Sequence, residues 1–237
     1  MGGLIDIERA RALVSDRMLW PRVRDFLWDF TPQVHPSWLE NLPGCAMSDA
    51  SDAKGMALVP SLMSSPRTKR FILSSLGVEP CFHAFPKEDW SRLLLLDGTT
   101  LESIAKWMGA LVCAGALRRL TDGATVRALK AALPGVYPDV FAYTAYFNRW
   151  IAGELERLDG GSSGGSPVDR LVRCGMGSLF SFLAELPAPL QRRLRLKLPK
   201  TFSEPVSDDP IARRFDDAAV SKLLKLKFSE AHALCCS

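Results

Sequence analysis

At 237 residues the chain is long enough to bury a sizeable hydrophobic core, as one large domain or two small lobes. Hydrophobic residues make up 47% and charged residues 24%, a globular balance that excludes a wholly disordered chain. Thirty Lys and Arg stand against 26 acidic residues, and the resulting net charge of +4 is too small to demand a nucleic-acid partner.

Asp6 and Glu8 arrive before an apolar signal-peptide segment could form, and Asp6 stands where a myristoylation signal wants Ser or Thr. Helical spacing of apolar residues predicts helices over Ile5–Leu19 and Val23–Phe30, and one turn over Ser37–Leu42 closed by Pro43-Gly44. Ala46–Pro66 is mixed in character, and Lys69–Leu76 reads equally as helix or strand. Pro86–Leu96 is expected to be a short helix ended by Asp97-Gly98. The clearest element is Leu101–Leu120, where Leu101, Ile104, Ala105, Met108, Leu111 and Val112 recur at helical spacing. Thr99 and Glu102 have the spacing of a capping box for it.

Thr121-Asp122-Gly123 makes the next turn, before a helix over Ala124–Leu133 stopped by Pro134-Gly135 and a longer one over Pro138–Leu158. Residues 160–166 are a flexible Gly/Ser segment, a composition shared by natural linkers and engineered loop replacements. Ser166 as N-cap and Pro167 at the first helical position then open a helix reaching Leu186. A short basic helix, Leu190–Leu198, an irregular connector over 201–210 and a last amphipathic helix, Asp216–Leu234, complete the chain. No alternating run supports a sheet, so the fold class is all-α: a compact multi-helix scaffold over residues 1–237, as a single domain or two helical lobes. The longest uncharged apolar stretch, Met108–Leu117, is about half of what a membrane span needs. A cytosolic or peripheral protein is expected.

Residues with the potential for chemistry do not assemble into a recognisable site. The six cysteines, at 45, 81, 113, 174, 235 and 236, include Cys113 and Cys174 in apolar helical settings, which fits free thiols in a reducing compartment. Cys81-Phe82-His83 offers two metal ligands with no second pair at zinc spacing, and Cys235-Cys236 lacks the spacing of a redox pair. Gly161-Ser162-Ser163-Gly164-Gly165 matches a hydrolase nucleophile motif in letters, but a helix and not a strand precedes it. Gly175-Met176-Gly177 lacks the third glycine of a dinucleotide loop and is expected to serve close helix packing. No catalytic, cofactor or metal site is expected. The cations Arg192, Arg193, Arg195, Lys197 and Lys200 alternate with leucines; a solvated face, an acidic protein partner and a membrane surface all fit that pattern. Core packing is the first reading for most of the six tryptophans, with one or two left to anchor an interface.

An ordered set of segments carries a family resemblance: Leu93-Leu94-Leu95-Leu96-Asp97-Gly98, Lys106-Trp107-Met108-Gly109-Ala110-Leu111, Ala116-Leu117-Arg118-Arg119, and Val126 through Pro138 on to Tyr143 and Phe147. Over about Leu93 to Trp150 this resembles the SctK family (YscK or PscK) of bacterial type III secretion systems. The resemblance implies a non-enzymatic adaptor of the cytoplasmic sorting platform at the inner membrane. Such an adaptor links the pod protein SctQ to the cytoplasmic domain of the ring protein SctD, with SctL a further neighbour; it implies no cofactor and no nucleic acid. An adaptor needs two surfaces. One is expected at Arg118, Arg119, Arg127 and Lys130 on the helix pair Leu101–Leu133, and the second at Arg192, Arg193, Arg195 and Lys197. The competing readings are a secretion chaperone, a small helical hydrolase using Ser163 or Cys81, and a peripheral membrane binder using Leu190–Leu198.

Overall fold

The computed structural model describes residues 19–40, 65–78, 89–147, 166–202 and 215–235. They are helical, with no strand among them, as the sequence pattern predicts. The expected helix Ile5–Leu19 falls outside the described residues except for Leu19, as do 46–64, 86–88, 148–158 and all of the Gly/Ser segment but Ser166.

The chain forms two compact units. One comprises residues 1–98 and 186–203, the other 99–185 and 204–237. In the first, helix α1 (Leu19–Trp28) turns Leu19, Val23 and Phe26 inward at helical spacing. Short 3-10 turns, Thr31–Gln33 and Pro36–Trp38, follow it. Lys69–Leu76, ambiguous by periodicity, belongs to a helix: α2 (Pro66–Ser75) opens with proline at its first position, where the missing N–H costs nothing. The expected helix before Gly98 is a 3-10 turn, Asp89–Leu95. Leu93, Leu94, Leu95 and Leu96 are all buried, a consecutive run that one face of an α-helix could not cover.

The second unit begins with α3 (Gly98–Val112) and α4 (Ala114–Arg118), which meet at Cys113 instead of running on to Leu120. Thr99 lies inside the first turn, past the capping position. Glu102 pairs forward with Lys106 at 2.8 Å, the i,i+4 geometry, instead of reaching back. Asp122 caps α5 (Gly123–Ala132) by accepting from the amides of Ala124 and Thr125. Hydrogen bonds from Thr125 and Ala124 hold the Asp122 carboxyl below its ordinary range. Gly135, at φ +77°, makes the left-handed turn into α6 (Val136–Phe147).

Ser166 caps α7 (Pro167–Phe182) with Pro167 at its first position, as the sequence predicts, and Asp169 completes a capping box with it. Helix α7 crosses α3 through Gly175 and Gly109, whose backbones touch. Gly177, two residues on, faces open space, so only one of the two glycines singled out serves packing. The last expected helix is two, α9 (Asp217–Lys227) and α10 (Ser229–Cys235), separated at Phe228, whose φ −138° and ψ 62° leave the helical region.

Helix α9 is fastened by its final lysine. Lys227 Nζ lies 2.6 Å from Asp139, 4.6 Å from the Trp107 ring centre and 4.3 Å from that of Tyr143, while those two rings meet edge to face. Lys227→Ala removes a partly buried ion pair and two cation–π contacts, and is expected to cost about 2 kcal/mol. The loss should be local, appearing as faster amide exchange over Val220–Leu224 with α3 still protected.

Candidate functional site

Two groups of cations stand out in the sequence, and the structure treats them differently. In the second unit Arg118, Arg119, Arg127 and Lys130 are all exposed. Helices α4 and α5 both pack on α6, and α6 lends them its aromatics. The Arg118 guanidinium lies 6.0 Å from the Phe141 ring centre, Phe141 meets Tyr137 edge to face at 5.5 Å, and Lys130 Nζ lies 5.8 Å from Tyr137. A cation, two rings and a second cation thus form one continuous row. The rings hold the cations without neutralising them, because attraction to an aromatic face leaves the charge unpaired. Arg127 reaches back along α5 towards Gly123, where a β-carbon would lie 3.5 Å from its guanidinium. Arg119 caps the end of α4. This surface can present fixed positive charge and aromatic edges to an acidic protein face.

The basic helix of the first unit, α8 (Ala188–Lys197), corrects the expectation of a second charged surface. Arg193 is 2% exposed and Lys197 1% exposed. Arg193 donates to the carbonyl of Phe26, in the last turn of α1, and its guanidinium lies 5.3 and 5.0 Å from the Phe26 and Phe30 ring centres. Lys197 donates to the carbonyls of Leu94 and Leu96, 2.8 Å away for Leu96, with its ammonium 5.1 Å from Phe26. The physical reason is that a helix ends on carbonyls with no partner in the helix, and cations at that end satisfy them and suit the helix dipole. These two residues are internal ties of the first unit and cannot meet a partner.

Arg192 is exposed but also tied, donating to the Leu76 carbonyl at 3.0 Å. Arg195 is half-buried, and exposed Lys200 lies 5.9 Å from the Trp38 ring. Leu190, Leu194, Leu196 and Leu198 are buried, so α8 has no apolar face left for a bilayer. No helix of the described residues is long and apolar enough to cross a membrane.

Of the other candidates, Cys113 and Cys235 are buried and Cys174 half-buried, all as free thiols. His35 shares a hydrogen bond with Ser37 at 2.8 Å. Among the described residues no three His, Cys, Asp or Glu side chains converge as metal ligands. Cys45, Cys81, His83, Ser163 and Cys236 lie outside the described residues. Trp107 is buried, as expected of core, whereas Trp28 is 52% exposed. The structure also shows a groove of about 920 Å³ between α1 and α2, lined by Trp28, Arg70 and Leu73 among others, which sequence reasoning missed. Its one trace in the sequence is the expectation that one or two of the tryptophans anchor an interface.

No curated protein and no solved structure matches the chain. A family model does, that of YOP proteins translocation protein K (YscK), over residues 46–237. That match covers most of the chain and agrees with the ordered segments between Leu93 and Trp150. The chain therefore belongs to the YscK family of type III secretion proteins, an accessory family and not a known enzyme family.

Proposed function

We propose that the protein is a non-enzymatic adaptor of the type III secretion sorting platform. It joins the pod protein SctQ to the cytoplasmic domain of the ring protein SctD at the cytoplasmic face of the inner membrane, with SctL a further neighbour. The observation that carries this reading beyond family membership is the cation–aromatic row Arg118–Phe141–Tyr137–Lys130. It is a surface of fixed charge backed by aromatic rings. Aromatic and arginine side chains dominate protein-binding energies, and exposed charge sets encounter rate and selectivity.

The double variant Arg118→Glu/Arg119→Glu tests the placement. Both side chains are exposed, so the far-ultraviolet circular dichroism and melting profile should stay those of the parent. Binding of one of the two proteins, SctQ or the SctD cytoplasmic domain, is expected to weaken about tenfold and to lose its salt dependence. Unchanged capture of both proteins would reject this surface, and failure of the parent chain to bind either would reject the adaptor reading itself.

A further inference from the structure

An adaptor needs a second surface, and burial of Arg193 and Lys197 removes the one the sequence suggested. We propose that the groove between α1 and α2 is that surface, a docking site for an acidic, amphipathic helical segment of a protein partner. The inference rests on the adaptor reading and locates its second contact.

The groove is apolar along its walls, with Leu27 on α1 and Leu73 on α2, and it ends at Val78. Trp28 stands at its rim, half exposed yet braced edge to face by Trp20 at 5.9 Å. A large ring already held in place loses little freedom on binding, which makes it a natural anchor.

The charge pattern selects the partner. Four of the lining residues are cations, Arg24, Lys69, Arg70 and Arg193, and two are carboxylates, Asp25 and Asp29. Arg24 pairs with Asp25 at 2.8 Å and Lys69 with Asp29 at 2.6 Å. Arg193 ties the Phe26 carbonyl from beneath. Arg70 is exposed and makes no ion pair among the described residues.

Helix α2 carries Arg67, Lys69 and Arg70 in its first turns and no acidic residue there. Cations at a helix N-terminus oppose the helix dipole, so this arrangement works against the free chain and is relieved by an incoming carboxylate. Nucleic acid fits less well, because its evenly spaced phosphates cannot avoid Asp25 and Asp29, whereas an amphipathic helix can set its carboxylates over α2 and turn its apolar stripe to those two residues. Arg24 and Trp28 are spaced i,i+4 on α1, and Arg70 and Leu73 are spaced i,i+3 on α2. Both walls thus match a helix bearing an apolar stripe beside acidic residues.

The test uses the full chain, purified SctQ and the purified SctD cytoplasmic domain. Trp28→Ala/Arg70→Glu is expected to weaken binding of one of the two proteins at least about tenfold and leave the other within about twofold. Arg118→Glu/Arg119→Glu should show the converse. Should the double variant melt early, Arg70→Glu alone serves, since that side chain lies in solvent. A photoreactive p-benzoylphenylalanine at Ser74, which lines the groove, should cross-link an acidic amphipathic segment of the same protein. Parent-like binding of both proteins by the groove variants overturns the groove inference while leaving the adaptor reading intact. A cross-link to a basic or wholly apolar segment overturns it too, as does binding of a 20-nucleotide RNA that the same variants abolish. A parent chain that binds neither protein overturns both proposals.

Discussion

Gly175→Ala is expected to break the packing of the second unit, while Gly177→Ala in the same helix leaves it intact or steadies it. A β-carbon on Gly175 would press into the carbonyl of Ala105 on α3, lying 2.7 Å from its carbon and 2.9 Å from the amide nitrogen of Gly109. On the facing helix, a β-carbon on Gly109 would meet the Leu171 carbonyl and sit 3.0 Å from the amide nitrogen of Gly175. Every obstacle is backbone. No side chain can rotate aside, so the two helix axes must separate, and the rows of buried residues beside them, such as Ile104, Met108, Leu171 and Met176, lose contact together.

Overpacking of this kind costs about 3 kcal/mol, or about 10 °C in melting temperature for a chain of this size. At Gly177 no atom lies within 4 Å of the place a methyl group would take, and φ is not positive there. Alanine then contributes only its better helix propensity, worth about 0.5–1 kcal/mol. Equal melting temperatures for the two variants would show that the α3–α7 crossing tolerates separation.

Particular residues show what a sequence can and cannot disclose about this fold. The Ser166 cap with Pro167 behind it and the Gly135 turn are local, each decided by a few neighbours, and both stand where the sequence puts them. The split of the last helix at Phe228 carries no proline or glycine to mark it. The role of α8 was hidden for two reasons. Read as alternation, Leu194-Arg195-Leu196-Lys197-Leu198 suggests charges on one side and leucines on the other. Read at helical period, Leu190, Arg193, Leu194 and Lys197 fall at i, i+3, i+4 and i+7, all on one inward stripe.

Even that period names no acceptor, because the carbonyls that hold Arg193 and Lys197 lie 167 and about 100 residues earlier in the chain. The same limit applies to the candidate surfaces. Arg118 and Lys130 can be picked out as exposed cations, but the pair of α6 rings that joins them into one row is a tertiary fact. The groove beside Trp28 depends on two helices separated by about 40 residues, as the Lys69–Asp29 pair records.

Stability of the chain should rise as pH climbs from 7 towards 10, and Lys197 should be the reason. Burial pushes its ammonium down to about 7 from 10.5, with nearby Asp97 opposing the shift and Arg193 adding to it. In the unfolded chain the amine keeps its ordinary affinity for protons. Between about pH 7 and 10.5 the unfolded state therefore binds more protons than the folded one. In that window the free energy of unfolding increases with pH, by up to about 1.4 kcal/mol per pH unit. Below pH 7 both states are protonated, and the full penalty of burying the charge is present.

Other groups titrate in the same range, so the comparison that isolates Lys197 is with Lys197→Met, which fills a similar volume and carries no proton. From pH 7.5 to 9.5 the parent should gain about 2 kcal/mol relative to that variant in urea unfolding followed by tryptophan fluorescence. Parallel profiles would mean that the carbonyls of Leu94 and Leu96 and the rings of Phe26 and Phe30 keep the ammonium charged in the interior. Arg193, which holds its proton at every pH in this range, offers the same core a permanent charge. The unit thus tolerates one fixed cation and one that can be discharged, and only the second can make its stability depend on pH.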